Sequence, residues 1–254
     1  MRRRRSASTS VGRTRPQPMN VPVNLPWPDI SNFVFDVEGT LVDAVMPTLQ
    51  CWRMTLQEFG HPFALADLHR FSGMDGKDML KQLLPASSAR EREQLLENQG
   101  RRYREEFLPR VRPLPGVLRL LEQLKARGCR LGLATDCERD ELDRYLEITG
   151  AAPLVDAMAC GSLVKRGKPH PDLLSLALRL LKAKSAATVM IGDTPYDAES
   201  ARRLNVWPVG VMTGHFSAPA LRAAGCREVF RDCVAIHRML FATAEADPIE
   251  AKAS

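Results

Sequence analysis

The sequence has no pair of cysteines at Cys-x-x-Cys spacing, and no histidine at metal-finger spacing from one. Its six cysteines (Cys51, Cys129, Cys137, Cys160, Cys226 and Cys233) are scattered along the chain. A disulfide framework and a structural zinc site are therefore not expected, and the thiols read as reduced, as in a cytoplasmic protein. No apolar run approaches the roughly 20 residues that span a bilayer, so no membrane partner is expected. Internal repeats are lacking too. The 254 residues suffice for one large domain, or for a core domain carrying an inserted one.

A nucleic-acid partner is also not expected, despite a pI near 9.2. Residues 1–30 hold Arg2, Arg3, Arg4, Arg5, Arg13 and Arg15 against a single acid, Asp29. The whole chain carries only +6, so the remainder is nearly neutral. Residues 1–30 read as a disordered basic tail, broken by proline and without helical apolar period. A targeting segment and a true start at Met19 remain open readings of the same stretch.

After residue 30, short apolar runs alternate with amphipathic stretches. Strands are expected at Phe33–Asp36, Arg130–Ala134, Val155–Ala159, Thr188–Ile191 and Val206–Val211. Helices are expected at Gly116–Arg127, Glu138–Thr149, Pro171–Lys182, Pro195–Leu204 and Pro219–Ala224, with Pro171 and Pro195 in first turns. Wholly apolar strands separated by helices imply an α/β fold, a doubly wound parallel sheet covered on both faces. Residues 46–111 break that rhythm with helical patterns alone: Met46–Phe59, Leu65–Phe71, Lys77–Leu84 and Ser87–Phe107. They read as an all-helical cap inserted after the first core strand. The core is then residues 31–45 and 112–254.

In a parallel α/β sheet the carboxyl ends of the strands line the ligand crevice. Four such ends carry chemistry here. FVFDVEGTLVD offers Asp36 and Glu38, LATDC offers Thr135, VKRGKPHPD offers Lys168, and VMIGDTPYDAES offers Asp193 and Asp197. In this order, with a helical insert between the first two, the chain resembles the haloacid dehalogenase superfamily. The likeness is to its phosphoglycolate-phosphatase and β-phosphoglucomutase-like branch, and extends from residue 31 to about 240.

That resemblance implies a Rossmann-like core and a Mg²⁺-dependent phosphatase acting on a small phosphomonoester, phosphoglycolate or a sugar phosphate. It casts Asp36 as nucleophile, forming an aspartyl-phosphate, and Glu38 as the acid and base that serves the leaving alcohol and then water. Mg²⁺ takes oxygen ligands. Asp36, Asp193, the backbone carbonyl at Glu38 and, directly or through water, Asp197 would supply them. Lys168, the Thr135 hydroxyl and the Asp136 N–H would cover the phosphoryl oxygens. Dehalogenation is not expected, because a halide needs no proton and dehalogenases of this fold lack the second acid. The family's usual residue at position 38 is Asp; Glu carries the same carboxyl group one methylene further out.

The loop His69-Arg70-Phe71-Ser72-Gly73-Met74-Asp75-Gly76-Lys77 lies between two cap helices. By resemblance it reads the leaving group, with Arg70, Gly73 and Lys77 as candidates and both cations available to a second anion. Two other functions stay open: a β-phosphoglucomutase-type phosphomutase, and a non-catalytic binding protein on the same fold. A monomer or a homodimer is expected. Bland readings apply elsewhere. His61 and His170 read as turn and helix-start residues, Trp52 and Trp207 as packing, and Cys137 as an inert thiol. Thr135 reads in part as a helix N-cap, Asp197 as a first-turn acid, and the run 101–106 as a solvated helix face.

Overall fold

The computed structural model describes residues 30–241, so residues 1–29 of the expected basic tail lie outside the described residues, while Ile30, the last of that stretch, is buried in the core. Strand β1 (Asn32–Phe35) is followed by α1 (Val45–Glu58), α2 (Leu65–His69), α3 (Gly76–Leu83) and α4 (Ala89–Arg102) before the next strand appears. Then come α5 (Val117–Ala126), β2 (Arg130–Ala134), α6 (Arg139–Thr149), β3 (Ala157–Ala159) and α7 (Asp172–Leu181). The chain continues through β4 (Thr188–Gly192), α8 (Pro195–Arg203), β5 (Trp207–Val211), α9 (Ala218–Ala224), β6 (Glu228–Phe230) and α10 (Cys233–Phe241).

The six strands among the described residues form one sheet in the order β3-β2-β1-β4-β5-β6, with every neighbouring pair parallel. The order reverses between β1 and β4, which makes their carboxyl ends the topological switch point. Strand side chains alternate between faces. Phe33, Phe35, Leu131, Leu133, Val189 and Ile191 pack with Leu120 and Leu124 of α5, Leu142 and Tyr145 of α6, and Ile236 of α10. Val34, Ala134 and Met190 face the other way, against Leu173, Leu174, Ala177 and Leu181 of α7 and Ala201 of α8. Burial on both faces explains the continuous apolar runs.

Helices α1 to α4 form a helical cap with an apolar cluster of its own, which includes Leu49, Trp52, Leu56, Leu68, Leu80 and Leu95. The two passages between cap and core run side by side. Asp43 N–H donates to Arg112 O at 2.9 Å, and Leu114 N–H to Leu41 O at 2.9 Å.

Strand β6 and helix α10 were not expected from the sequence. Three half-buried residues give β6 too short a pattern to read. The signal for α10 was present, because Asp232 Oδ1 caps it by accepting the Ala235 N–H at 2.8 Å. Pro195 opens α8 as expected, whereas Pro171 stands one residue before α7, at its N-cap. The run 101–106 needs a larger correction. Arg102 pairs with Glu58 at 2.6 Å and Arg104 with Asp140 at 3.5 Å, as a solvated face should. However, α4 passes into a π-helical turn over Tyr103–Phe107, and Tyr103 is buried.

Leu133 is wholly buried at the sheet centre, while Leu118 on α5 is 39% exposed. Leu133→Ala should lower unfolding stability by about 2–5 kcal/mol in urea titration. Leu118→Ala should stay within about 0.5 kcal/mol of the parent.

Candidate active site

Asp36 follows the last residue of β1, and Asp193 the last residue of β4. These strands are neighbours with Phe35 opposite Ile191, so the two carboxylates emerge together at the switch point. Thr135 follows β2, the neighbour on the other side of β1. Lys168 lies in the segment leading into α7, and Asp197 in the first turn of α8. Asp36, Thr135, Lys168, Asp193 and Asp197 are all buried.

Lys168 ties the cluster together. Its ammonium donates to Asp36 Oδ1 and, at 3.0 Å, to Asp197 Oδ1, and lies 3.6 Å from Asp136 Oδ2. Its backbone N–H donates to Asp136 Oδ1 at 3.0 Å. Burial pulls this ammonium down, yet Asp197, Asp36 and Asp136 hold its pKa well above the ordinary lysine value. The carboxylates respond in the opposite sense. Burial pushes Asp36 up to about 6 against the pull of Lys168, and Asp136 up to about 7. Asp193 is raised well above the carboxylate range, by burial and then by the charges of Asp36 and Asp197.

One lysine is too little positive charge for that group. Carboxylate oxygens of Asp36, Asp193 and Asp197 lie within 4.8 Å of one another. Asp193 Oδ1 accepts from the Thr40 hydroxyl at 3.0 Å, whereas its Oδ2 is buried with no hydrogen-bond partner among the described residues. Gly39 and Gly214 make that oxygen's cradle: a Cβ on either would stand 2.3 Å or 1.9 Å from it. Gly39 also needs its glycine for a φ of +83°. An all-oxygen donor set with an orphaned anionic oxygen fits a hard divalent cation. The Asp197 carboxylate is already committed. Its Oδ2 accepts from the Thr194 N–H at 3.1 Å and the Thr194 hydroxyl at 2.7 Å, and its Oδ1 faces Lys168. The first-turn reading of Asp197 is thus correct as far as it goes, since it completes the α8 capping box with Thr194. Thr135, by contrast, does not cap α6, because Glu138 holds that position.

A cavity of about 380 Å³ opens over this cluster and is closed on its far side by the cap. Asp36, Glu38, Thr135, Asp136 and Lys168 line its floor; Trp52, Gly73 and Lys77 are among the cap residues facing them. Glu38 is pushed up to about 8, by burial first and then by Glu141, and its Oε1 accepts from Tyr145 OH at 2.8 Å. Cys137, buried beside Thr135, has its thiol raised well above the ordinary value by burial, as an inert thiol should.

The cap loop sits directly on the strand ends. Asp75 N–H donates to Lys168 O at 3.1 Å, a His69 ring nitrogen meets Gly214 O at 2.9 Å, and Tyr196 OH donates to Arg70 O at 2.5 Å. Gly73 lies against Thr194. Of the three loop candidates, Gly73 and Lys77 border the cavity. Arg70 is not among its lining residues, and its guanidinium lies 4.6 Å over the Phe71 ring instead. Tyr145, Tyr103 and Glu141, which surround Glu38, were not picked out from the sequence; buried aromatic positions on a helix look like any other core.

A family model described as haloacid dehalogenase-like hydrolase matches residues 33–211. The chain is 29% identical over 198 residues to a phosphorylated carbohydrates phosphatase of Thermotoga maritima, covering 76% of this chain and 90% of that protein. It is 26% identical over 191 residues to validoxylamine A 7'-phosphate phosphatase of Streptomyces hygroscopicus subsp. limoneus, covering 75% and 89%. The crystal structure of a hydrolase from Pseudomonas syringae superposes with a TM-score of 0.79 at 29% identity, covering 84% of this chain and 98% of that one.

Lys168→Met should leave Asp36 and Asp197 buried without their counter-charge, lowering stability by about 3–5 kcal/mol in urea titration. Breaking the exposed Arg139–Asp143 pair, 2.9 Å apart, should change stability by no more than about 0.5 kcal/mol.

Proposed function

The chain belongs to the haloacid dehalogenase-like hydrolases, and we propose that it is a Mg²⁺-dependent phosphatase of a small phosphomonoester, with a sugar phosphate as the preferred class. The carrying observation is that one cavity brings together Asp36, Glu38, Thr135 and Lys168, with the partnerless Asp193 Oδ2 behind them. The named phosphatases among its relatives support the reading. Residues 46–111 are taken as the cap and the flanking segments as the catalytic core.

Asp36 and Asp193 would hold Mg²⁺, with the Glu38 carbonyl, and Asp197 would act from behind through Thr194 and Lys168. The bound ion would neutralise charge on the phosphoryl oxygens and let an anionic nucleophile approach. Lys168, the Thr135 hydroxyl and the Asp136 N–H orient the remaining oxygens. Asp36 attacks phosphorus, and the bond to the leaving oxygen breaks. Glu38, whose carboxyl group burial pushes up to about 8, holds its proton more readily than a free glutamate and hands it to that oxygen. Glu38, now a carboxylate, takes a proton from water. The water oxygen bonds to phosphorus, the bond to Asp36 breaks, and Asp36 returns as a carboxylate. Cap contacts on the strand ends keep bulk water out while the acyl phosphate exists.

The cavity falls within the roughly 300–1,000 Å³ usual for small-molecule sites. Lys77 and Arg104 of the cap border the cavity, Lys77 exposed and Arg104 already paired with Asp140 and Glu141, whereas Arg70 lies off its wall. The phosphorylated carbohydrates phosphatase among the relatives favours a hydroxyl-rich leaving group over phosphoglycolate.

Phosphate release from sugar phosphates, phosphoglycolate, nucleotides and p-nitrophenyl phosphate should require Mg²⁺ and fall by at least about a thousandfold in Asp36→Asn. Phosphate passed between hydroxyls of one sugar without release would instead mark a mutase. Mg²⁺ at about 100 times its Kd should raise stability by about 2.7 kcal/mol, seen as a higher Tm. Asp193→Asn should lose that rise.

A further inference from the structure

Glu38 reaches sideways as well as into the cavity. Tyr145 OH donates to Glu38 Oε1 at 2.8 Å, and the Tyr103 and Tyr145 hydroxyls are 2.6 Å apart. Each phenol has one proton to give. With Tyr145 donating to the carboxyl group, Tyr103 must donate to Tyr145. The three groups therefore form a directed chain that ends on Glu38, and bonds in such a chain strengthen one another. Both rings are buried, at 1% and 2% exposure, and Tyr103 borders the cavity.

The chain crosses from cap to core. Tyr145 stands on α6, one turn beyond Glu141, while Tyr103 opens the π-helical turn at the end of α4. Such turns alter which side chains face inward and recur at functional sites. Here the turn's first residue points into the core cluster that holds Tyr145.

Resting on the phosphatase reading above, we propose that Tyr145, backed by Tyr103, is a positioning residue that fixes the Glu38 carboxyl group for proton transfer to the leaving oxygen. It accounts for glutamate at this station. An aspartate would end roughly 1.5 Å short, one C–C bond, and would leave the Tyr145 hydroxyl outside hydrogen-bond range. The extra methylene is what lets the carboxyl group dock on Tyr145 while Glu38 still lines the cavity.

The test is a double-mutant cycle of parent, Tyr145→Phe, Glu38→Asp and the double variant. It is read as kcat/KM on p-nitrophenyl phosphate and on the better of glucose 6-phosphate and phosphoglycolate. This ratio reports steps up to the phosphoenzyme, and p-nitrophenolate leaves without needing a proton. On the alkyl ester, Tyr145→Phe should lose roughly ten- to a hundredfold, the scale of a misplaced catalytic group. On p-nitrophenyl phosphate the loss should be less than about threefold, because general-acid help is not needed there. In the Glu38→Asp background the same change should have less than about a twofold effect, since the contact is already absent. Equal losses on both esters, or additive effects in the cycle, would overturn the positioning role. If Tyr145→Phe does not fold, Tyr103→Phe replaces it, with a smaller loss in the same ester-selective pattern; a loss blind to the ester would overturn the role in that case too. A parent that turns over none of these esters overturns the phosphatase reading and this inference with it. An active parent with an unselective Tyr145→Phe overturns the inference alone.

Discussion

The Lys168 ammonium is the contact on which the rest of the site depends. It is buried, and it reaches Asp36 from β1, Asp197 from α8 and Asp136 after β2. Without it the sheet would end in unbalanced buried carboxylates, which a folded interior does not tolerate. With it the balance is still incomplete, and the pKa values of Asp36, Asp136 and Asp193 are all raised. The fold thus holds a deficit of positive charge at one place. A structure built only for stability would have filled that place with apolar side chains. On the proposed reading a bound dication would fill that deficit, and only then would the site accept an anionic phosphoryl group.

Parallel topology creates that concentration. Residues from four separate stretches of chain meet because β1 sits in mid-sheet with β2 and β4 on either side, and the order reverses between β1 and β4. The cap adds the other wall. Its loop contacts Lys168, Gly214 and Thr194, which belong to or flank the machinery of the core. Cap and core therefore wall the same cavity, and the Tyr103–Tyr145 contact joins the end of α4 to the residue that bonds Glu38.

Much of this was legible in the sequence, for a physical reason. Strands buried on both faces stand out as apolar runs, so a polar residue at the end of one is conspicuous. Asp36, Thr135 and Asp193 were visible in that way. Lys168 was visible only by its order along the chain. What stayed hidden depended on three-dimensional packing. Tyr145 and Tyr103 occupy ordinary core positions, and nothing local marks their hydroxyls as partners of Glu38. The π-helical turn at Tyr103 has no one-dimensional signature, so the charged residues around it made a buried tyrosine look solvated. Arg70 and Lys77 flank the same loop, yet only the fold shows that one lies over Phe71 and the other at the cavity edge. Strand β6 lacked the length for any pattern.

On the proposed reading Asp36 and Asp193 form one arm of a metal centre that Lys168 alone leaves unsatisfied. A crystal grown with Mn²⁺ and read by its anomalous difference map tests this most directly. One strong peak is expected about 2.0–2.2 Å from a carboxylate oxygen of Asp36 and from Asp193 Oδ2, close to the spacing of an octahedral Mg²⁺ site. A map without a peak there, at a Mn²⁺ concentration that saturates the protein in solution, would contradict it.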